Sequence, residues 1–151
     1  MSSESALRDR NGADYELIET LRWEPATGFV RIERHRARLQ ASADALGFRH
    51  DTPAVEHALA SAAGGRTPLR IRLTLSHAGD VACTSHPFEP IPSGTIWSLR
   101  VAGTRLDAAD PLLRHKTSRR DVFQAARLEF TVEEADEVIL LNGQGKLCEG
   151  T

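Results

Sequence analysis

The sequence predicts an α+β chain with largely antiparallel pairing: a small first domain followed by the start of a larger one. Three observations carry this reading. Leu69 to Ser76 (LRIRLTLS) alternates strictly, with Leu69, Ile71, Leu73 and Leu75 on one face and Arg70, Arg72 and Thr74 on the other. Apolar residues at helical spacing recur in Glu33–Leu46. Strand-like runs come in pairs around turn signals at Glu24–Gly28, His77–Asp80 and Asn142–Gly145.

Taken in order, residues 1–13 are polar and are expected to fray. Tyr15 to Trp23 (YELIETLRW) alternates as a strand, with Tyr15, Leu17 and Glu19 on one face. Pro25 and Gly28 make the turn after it, and Phe29–Ile32 returns as a short strand, so 15–32 reads as a hairpin. The helix from Glu33 to Leu46 has the stripe Leu39, Ala43, Leu46, with Gly47 placed to end it. A second helix runs from Pro53 to about Ala63, where Pro suits the first turn and Asp51 or Thr52 can cap it. After the alternating strand at 69–76, Val81–Thr84 pairs back, and Thr95–Val101 is a further strand beyond a Pro-rich connection. Asp110-Pro111 marks a break, giving domains at 1–109 and 110–151. A helix is expected at about Ser118–Phe130, with the stripe Val122, Ala125, Ala126 and Leu128 or Glu129. Asp136–Leu141 (DEVILL) has the continuous apolar run of a buried strand. The Asn142-Gly143 turn then sends Lys146–Glu149 back beside it.

Composition narrows the function. The chain has 151 residues, 40% hydrophobic and 26% charged, with a net charge of −2. That balance fits a soluble globular protein and gives no general attraction to nucleic acid or anionic membranes. The arginines at 31, 34, 36 and 38 are interleaved with Glu33 in an acidic chain, which argues against a nucleic-acid helix. No run reaches the roughly 18 apolar residues of a membrane span. The N-terminus lacks the basic start and apolar core of a secretory signal. Cys83 and Cys148 form neither a disulfide framework nor a metal-binding pattern, so both are expected as buried thiols in a reducing cytoplasm, with no metal site.

One scarcity stands out. The chain has two lysines, Lys116 and Lys146, among 19 basic residues. Arginine serves surface solubility equally well. A retained lysine is therefore either a solvated surface residue or a site that needs an amine able to lose its proton and bond to a carbonyl. Lys116 lies in His115-Lys116-Thr117-Ser118-Arg119-Arg120, and the chain later reads Cys148-Glu149-Gly150-Thr151.

These segments resemble the class IV aminotransferase family, the fold-type IV pyridoxal-phosphate enzymes. The resemblance begins at Leu17-Ile18-Glu19-Thr20-Leu21-Arg22, similar to a family strand reading FETLR. It continues in HRARLQASADALGF (His35–Phe48), similar to H-x-x-R-L-x-x-S-A-x-x-L-G-F. It is closest over His115–Thr151, where KTSRR, ADEVILLN and EGT fall in the family's order. The family includes branched-chain aminotransferases, D-amino acid aminotransferases and aminodeoxychorismate lyases, and the short arginine-rich style is most like the last.

The resemblance implies the following. The cofactor is pyridoxal 5′-phosphate, an electron sink that the protein holds and tunes. Lys116 matches the lysine that binds it covalently and then shuttles a proton at the substrate. Glu149 matches the glutamate facing the pyridine nitrogen, and Arg38 matches the arginine on the cofactor phosphate. Lys116, Glu149 and Arg38 are expected to share one cleft. Arg70, Arg72 and His77 can meet a substrate carboxylate; they also fit the wet face of an amphipathic strand. The expected activity is aminodeoxychorismate lyase, releasing pyruvate to give 4-aminobenzoate. The alternatives are an amino acid transaminase of branched-chain or D-amino acid type, or a non-catalytic remnant. A homodimer acting on a small amino-acid-like substrate, with no nucleic-acid or membrane partner, is implied. Three departures accompany the match. Asn11–Tyr15 keeps little of a glycine-rich family stretch, Asp121 stands where some members carry a tyrosine, and the family pattern continues beyond Thr151, so a truncated second domain is expected.

Overall fold

The alternating runs at 15–23 and 69–76 become the two central strands of an antiparallel sheet. In the computed structural model, which describes residues 15–151, β1 (Leu17–Glu24), β2 (Gly28–Phe29), β3 (Leu69–Leu75) and β4 (Val81–Pro87) form a sheet in the order β2-β1-β3-β4. The expectation for residues 1–13 lies outside the described residues. The register pairs Leu17 with Leu75, Glu19 with Leu73 and Leu21 with Ile71. Side chains alternate across a strand, so these six share a face, and all six are buried. Helices α1 (Ile32–Leu46) and α2 (Thr52–Ala62) pack on the sheet, α1 against β1 and α2 against β3 and β4. They bury Leu39, Ser42, Ala43 and Leu46, and Val55 and Leu59. At about 1.5–3 kcal/mol for each fully buried large aliphatic side chain, the face built from Leu17, Leu21, Leu46, Ile71, Leu73 and Leu75 dominates the stability of this unit. Gly47 ends α1 in the left-handed conformation, φ 75°, with its N–H on the Ala43 carbonyl. A side chain there would be strained.

The hairpin expected over 15–32 is shorter than its sequence suggests. β2 pairs only Phe29 with Trp23 and Gly28 with Glu24. Arg31 then turns into the left-handed region, φ 56°, and α1 starts at Ile32.

The described chain divides into two compact units: residues up to Pro90 together with Arg114–Ser118, and Ile91–Leu113 together with Arg119–Thr151. In the second unit β5 (Leu99–Leu106), β6 (Glu137–Asn142) and β7 (Leu147–Gly150) form a sheet in the order β5-β6-β7, with α3 (Asp121–Arg127) packed on it. β5 and β6 are parallel, and β6 and β7 antiparallel. The strand expected at 95–101 thus starts later, runs further and belongs to this second sheet. Asp136 sets its start, accepting the Ser98 N–H (2.7 Å) and hydroxyl (2.9 Å). Glu129 carries it across an irregularity between Val101 and Arg105 by accepting the N–H groups of Gly103 (2.5 Å) and Thr104 (2.8 Å).

The core of this unit is Ala102, Leu106, Phe123, Ala126, Ala135, Val138 and Leu140. α3 is shorter than the expected 118–130. Its buried residues are Phe123 and Ala126, while Leu128, expected on the stripe, is 85% exposed. The apolar run of β6 is buried on one face only. Val138 and Leu140 are inside, Ile139 and Leu141 are half-buried, and Leu99, Val101 and Leu147 are exposed on the neighbouring strands. In the β6–β7 turn the left-handed residue is Gly145, φ 74°, and not Gly143. Asn142 holds this turn, its Oδ1 accepting the N–H groups of Gln144 and Lys146, both at 3.0 Å. The cysteines also depart from expectation. Cys83 is half-buried, with its thiol pKa raised by burial, whereas Cys148 is exposed on an edge strand.

Candidate functional site

β2 is so short that most of the outer edge of β1 is open, and the segment around Lys116 takes that edge. Leu17 pairs with Thr117 in an antiparallel bridge. The Ile18 N–H donates to the Lys116 carbonyl (2.8 Å), the Ser118 N–H to the Glu16 carbonyl (2.9 Å), and the Glu16 N–H to the Ser118 hydroxyl (2.8 Å). Thr117 is buried at 5% exposure, and His115 Nδ1 lies 3.0 Å from the hydroxyl of Ser42, a buried residue of α1. Both neighbours of Lys116 are therefore fixed to the first unit, and Lys116 itself is half-buried.

One step along β1 is the other anchored cation. Glu19, at 2% exposure, accepts Arg38 Nε on one oxygen (2.7 Å) and Arg38 Nη2 on the other (2.5 Å). His35 Nδ1 approaches that second oxygen at 2.7 Å. An ionised carboxylate only accepts, so this Nδ1 carries the hydrogen. The hydrogen bonds to Glu19 raise the Arg38 pKa, burial opposes the rise, and the carboxylate charge adds to it. Lys116 and Arg38 are thus tied to adjacent residues of β1, Ile18 and Glu19. His35 and Arg38 are one helical turn apart, which is why HxxR places both over the same strand residue.

Glu149 belongs to the second unit, on β7, exposed and paired in register with Leu140. Its strand is pinned at the end by Glu137. One Glu137 oxygen accepts the Val138 N–H (2.9 Å), the Thr151 N–H (3.0 Å) and the Thr151 hydroxyl (2.6 Å). Gly150 lies under this clamp: a Cβ there would come 3.0 Å from Glu137 Cδ. Burial would raise the Glu137 pKa, but the hydrogen bonds from Thr151 and Val138 outweigh it and hold the carboxyl below the usual range.

Arg70 and Arg72 lie on the exposed face of the first sheet. Register puts Arg70 between Arg22 and His86, and Arg72 between Thr20 and Thr84. Glu24 pairs with Arg22, whose guanidinium also stacks 4.3 Å over the Phe88 ring. His77 does not join this face. It lies past the end of β3, its ring edge-on to Phe48 with centroids 5.0 Å apart.

Glu19, Glu137 and Ser42 are the interacting residues to which sequence patterns assign no role. The available signal was a lone Glu at an apolar position of an alternating strand, Glu19 amid Leu17 and Leu21. Among the described residues no cluster of three or more His, Cys, Asp or Glu is placed to hold a metal, and no helix is long and apolar enough to cross a membrane.

Comparison with known proteins agrees with this architecture. The sequence profile described as amino-transferase class IV matches residues 16–151. The crystal structure of a protein assigned as an amino-acid aminotransferase from Mesorhizobium loti is 49% identical, with a TM-score of 0.88, over 91% of this chain and 67% of that one. A structure assigned as a 4-amino-4-deoxychorismate lyase is 27% identical, TM-score 0.78, over 99% of this chain and 61% of that one. The 4-amino-4-deoxychorismate lyase of Pseudomonas aeruginosa, 24% identical over 89% of this chain and 56% of its own, shares the fold at TM-score 0.70. No curated protein matched.

Proposed function

The chain belongs to the class IV aminotransferase family, and from that premise we propose that it is a pyridoxal-phosphate-dependent enzyme acting on a small amino-bearing substrate. The observation that carries this reading is Lys116, one of two lysines, in a segment whose main chain bonds the edge of β1 through the Lys116 carbonyl and the Ser118 N–H. On the first unit the donors suit the cofactor: a half-buried lysine and a half-exposed guanidinium with N–H groups beyond those on Glu19. Bound cofactor supplies an electron sink that weakens bonds at the substrate's amino-bearing carbon. Lys116 would hold it through Nζ, and its amine would be the base that takes or returns a proton at that carbon. Arg38 would hold the phosphate, and Glu149 would keep a proton on the ring nitrogen. A homodimer is part of the same proposal.

Two finer readings follow. In the first, the enzyme releases pyruvate from 4-amino-4-deoxychorismate to give 4-aminobenzoate. The exposed row of Arg22, Arg70 and Arg72 supports it, because three arginines sharing an open face suit a substrate with two carboxylates. In the second, it passes an amino group to a 2-oxo acid. The 49% identical relative assigned as an aminotransferase supports that one. The test is a pair of assays on the full chain with cofactor. The lyase forms pyruvate and 4-aminobenzoate in equal amounts with no added 2-oxo acid; the transaminase needs a 2-oxo acid and converts it to its amino acid. Absence of both activities, with Lys116→Ala indistinguishable from the parent, sinks the proposal.

A further inference from the structure

The covered face of β1 carries one charged residue. Glu19 lies between Leu17 and Leu21 and opposite Leu73, all buried. A carboxylate taken out of water there is unfavourable unless N–H donors replace its hydration. An apolar residue of similar size would fill the place without that penalty. Holding α1 to the sheet therefore does not by itself call for this Glu. Its donors all come from α1, two from Arg38 and one from His35.

The exposures of the three side chains differ in a telling way. Glu19 is 3% exposed, His35 22% and Arg38 48%. The carboxylate sits at the back of the cluster and the guanidinium at the front. Glu19 occupies the side-on edge of Arg38, formed by Nε and Nη2. Arginine has five N–H donors, so both donors on Nη1 and the second on Nη2 remain. They form the end-on fork, an edge that matches two phosphate oxygens. A long side chain gripped at its other edge has lost most of its rotamer freedom before any ligand arrives, so less is lost on binding.

We infer that Glu19 is a positioning residue that holds Arg38 with its end-on fork ready for the cofactor phosphate. His35 steadies the same carboxylate from the side. This rests on the reading of Arg38 given above and extends it to a residue buried behind the arginine.

The test compares pyridoxal phosphate with pyridoxal, which lacks the phosphate. Binding of each to the full chain is followed through the near-visible absorbance that covalent attachment to the protein produces. The forms are the parent, Glu19→Gln, Arg38→Gln and the double variant. Glu19→Gln is expected to lose about 10-fold in affinity for pyridoxal phosphate while keeping its affinity for pyridoxal within about 2-fold. Arg38→Gln should remove the preference for the phosphate, and adding Glu19→Gln to it should change little further. Equal losses for both aldehydes, or additive losses in the double variant, would overturn the positioning role and leave Glu19 a structural tie. Glu19→Asp keeps the charge; it should recover part of the preference, and it carries the test if the Gln form does not fold. A parent that does not prefer the phosphate, or an absorbance unchanged in Lys116→Ala, instead overturns the cofactor reading and this inference with it.

Discussion

Two carboxylates fasten segments that carry candidate cofactor residues, and they work in opposite ways. Glu19, in the first unit, is buried and grips charged or ring donors from a helix. Glu137, in the second, is half-buried and grips N–H and hydroxyl groups of its own sheet. The first is an ionic clamp, where losing one member strands the other. The second is a backbone clamp, where loss frees one strand end. The lesson is that two similar residues, each joining chain segments distant in sequence, should fail at different scales when broken.

The largest effect is expected at Arg38. Arg38→Ala leaves the Glu19 charge buried with only His35 beside it, and should cost about 3 kcal/mol in denaturant unfolding. Glu19→Gln leaves a half-exposed guanidinium that can turn to water, and should cost less, about 1–2 kcal/mol. If the order is reversed, Glu19 is not the buried end of the pair. Next comes Gly150→Ala. Its Cβ would displace the Glu137 carboxylate from Thr151, at a cost of about 1–2 kcal/mol. Amide exchange should quicken at Thr151 and Val138 while β1 and β3 keep their protection; quickening in both sheets would contradict a local clamp.

Acid sharpens the contrast. Glu137, Glu129, Glu134 and Asp136, all in the second unit, have lowered pKa values. Hydrogen bonds from Thr104, Thr131 and Ser98 cause the shifts in the last three. A carboxylate with a depressed folded pKa contributes stability that is complete above its unfolded value of about 4 and is lost as pH falls through the folded one. Exchange at Ser98, Gly103 and Thr104 should therefore rise as pH drops below about 4, after correction for intrinsic rates. No rise would place those bonds among the expendable ones. The smallest effect belongs to the open sheet face. Arg70→Ala and Arg72→Ala should each change stability by no more than about 0.5 kcal/mol. If that face meets substrate carboxylates, each should raise KM while leaving cofactor absorbance unchanged.

Legibility in the sequence followed how local the cause was. β3 could be read residue by residue, because strict alternation separates Ile71, Leu73 and Leu75 from Arg70, Arg72 and Thr74. The buried stripe and C-terminal end of α1 were likewise written in Leu39, Ala43, Leu46 and Gly47. β5 was not legible. Gly103-Thr104 interrupts its pattern, and the carboxylate that carries the strand across comes from Glu129. The edge position of Lys116 depends on β2 stopping after two residues, which no local pattern shows. Lys116 stood out by scarcity and Arg38 by its HxxR spacing. Glu19 showed only as a lone carboxylate among the apolar positions of its strand, and its partners on α1 emerged once the helix above it was in place.

The central claim is that Lys116 is the residue that binds pyridoxal phosphate, and the chain allows a direct measurement because its only other lysine is Lys146. Incubation of the full chain with the cofactor, trapping with borohydride and peptide mass mapping would locate the attachment. The cofactor mass is expected on the peptide containing Lys116, lost in Lys116→Ala and unaffected by Lys146→Arg. Attachment at Lys146, or none on either lysine, would contradict it.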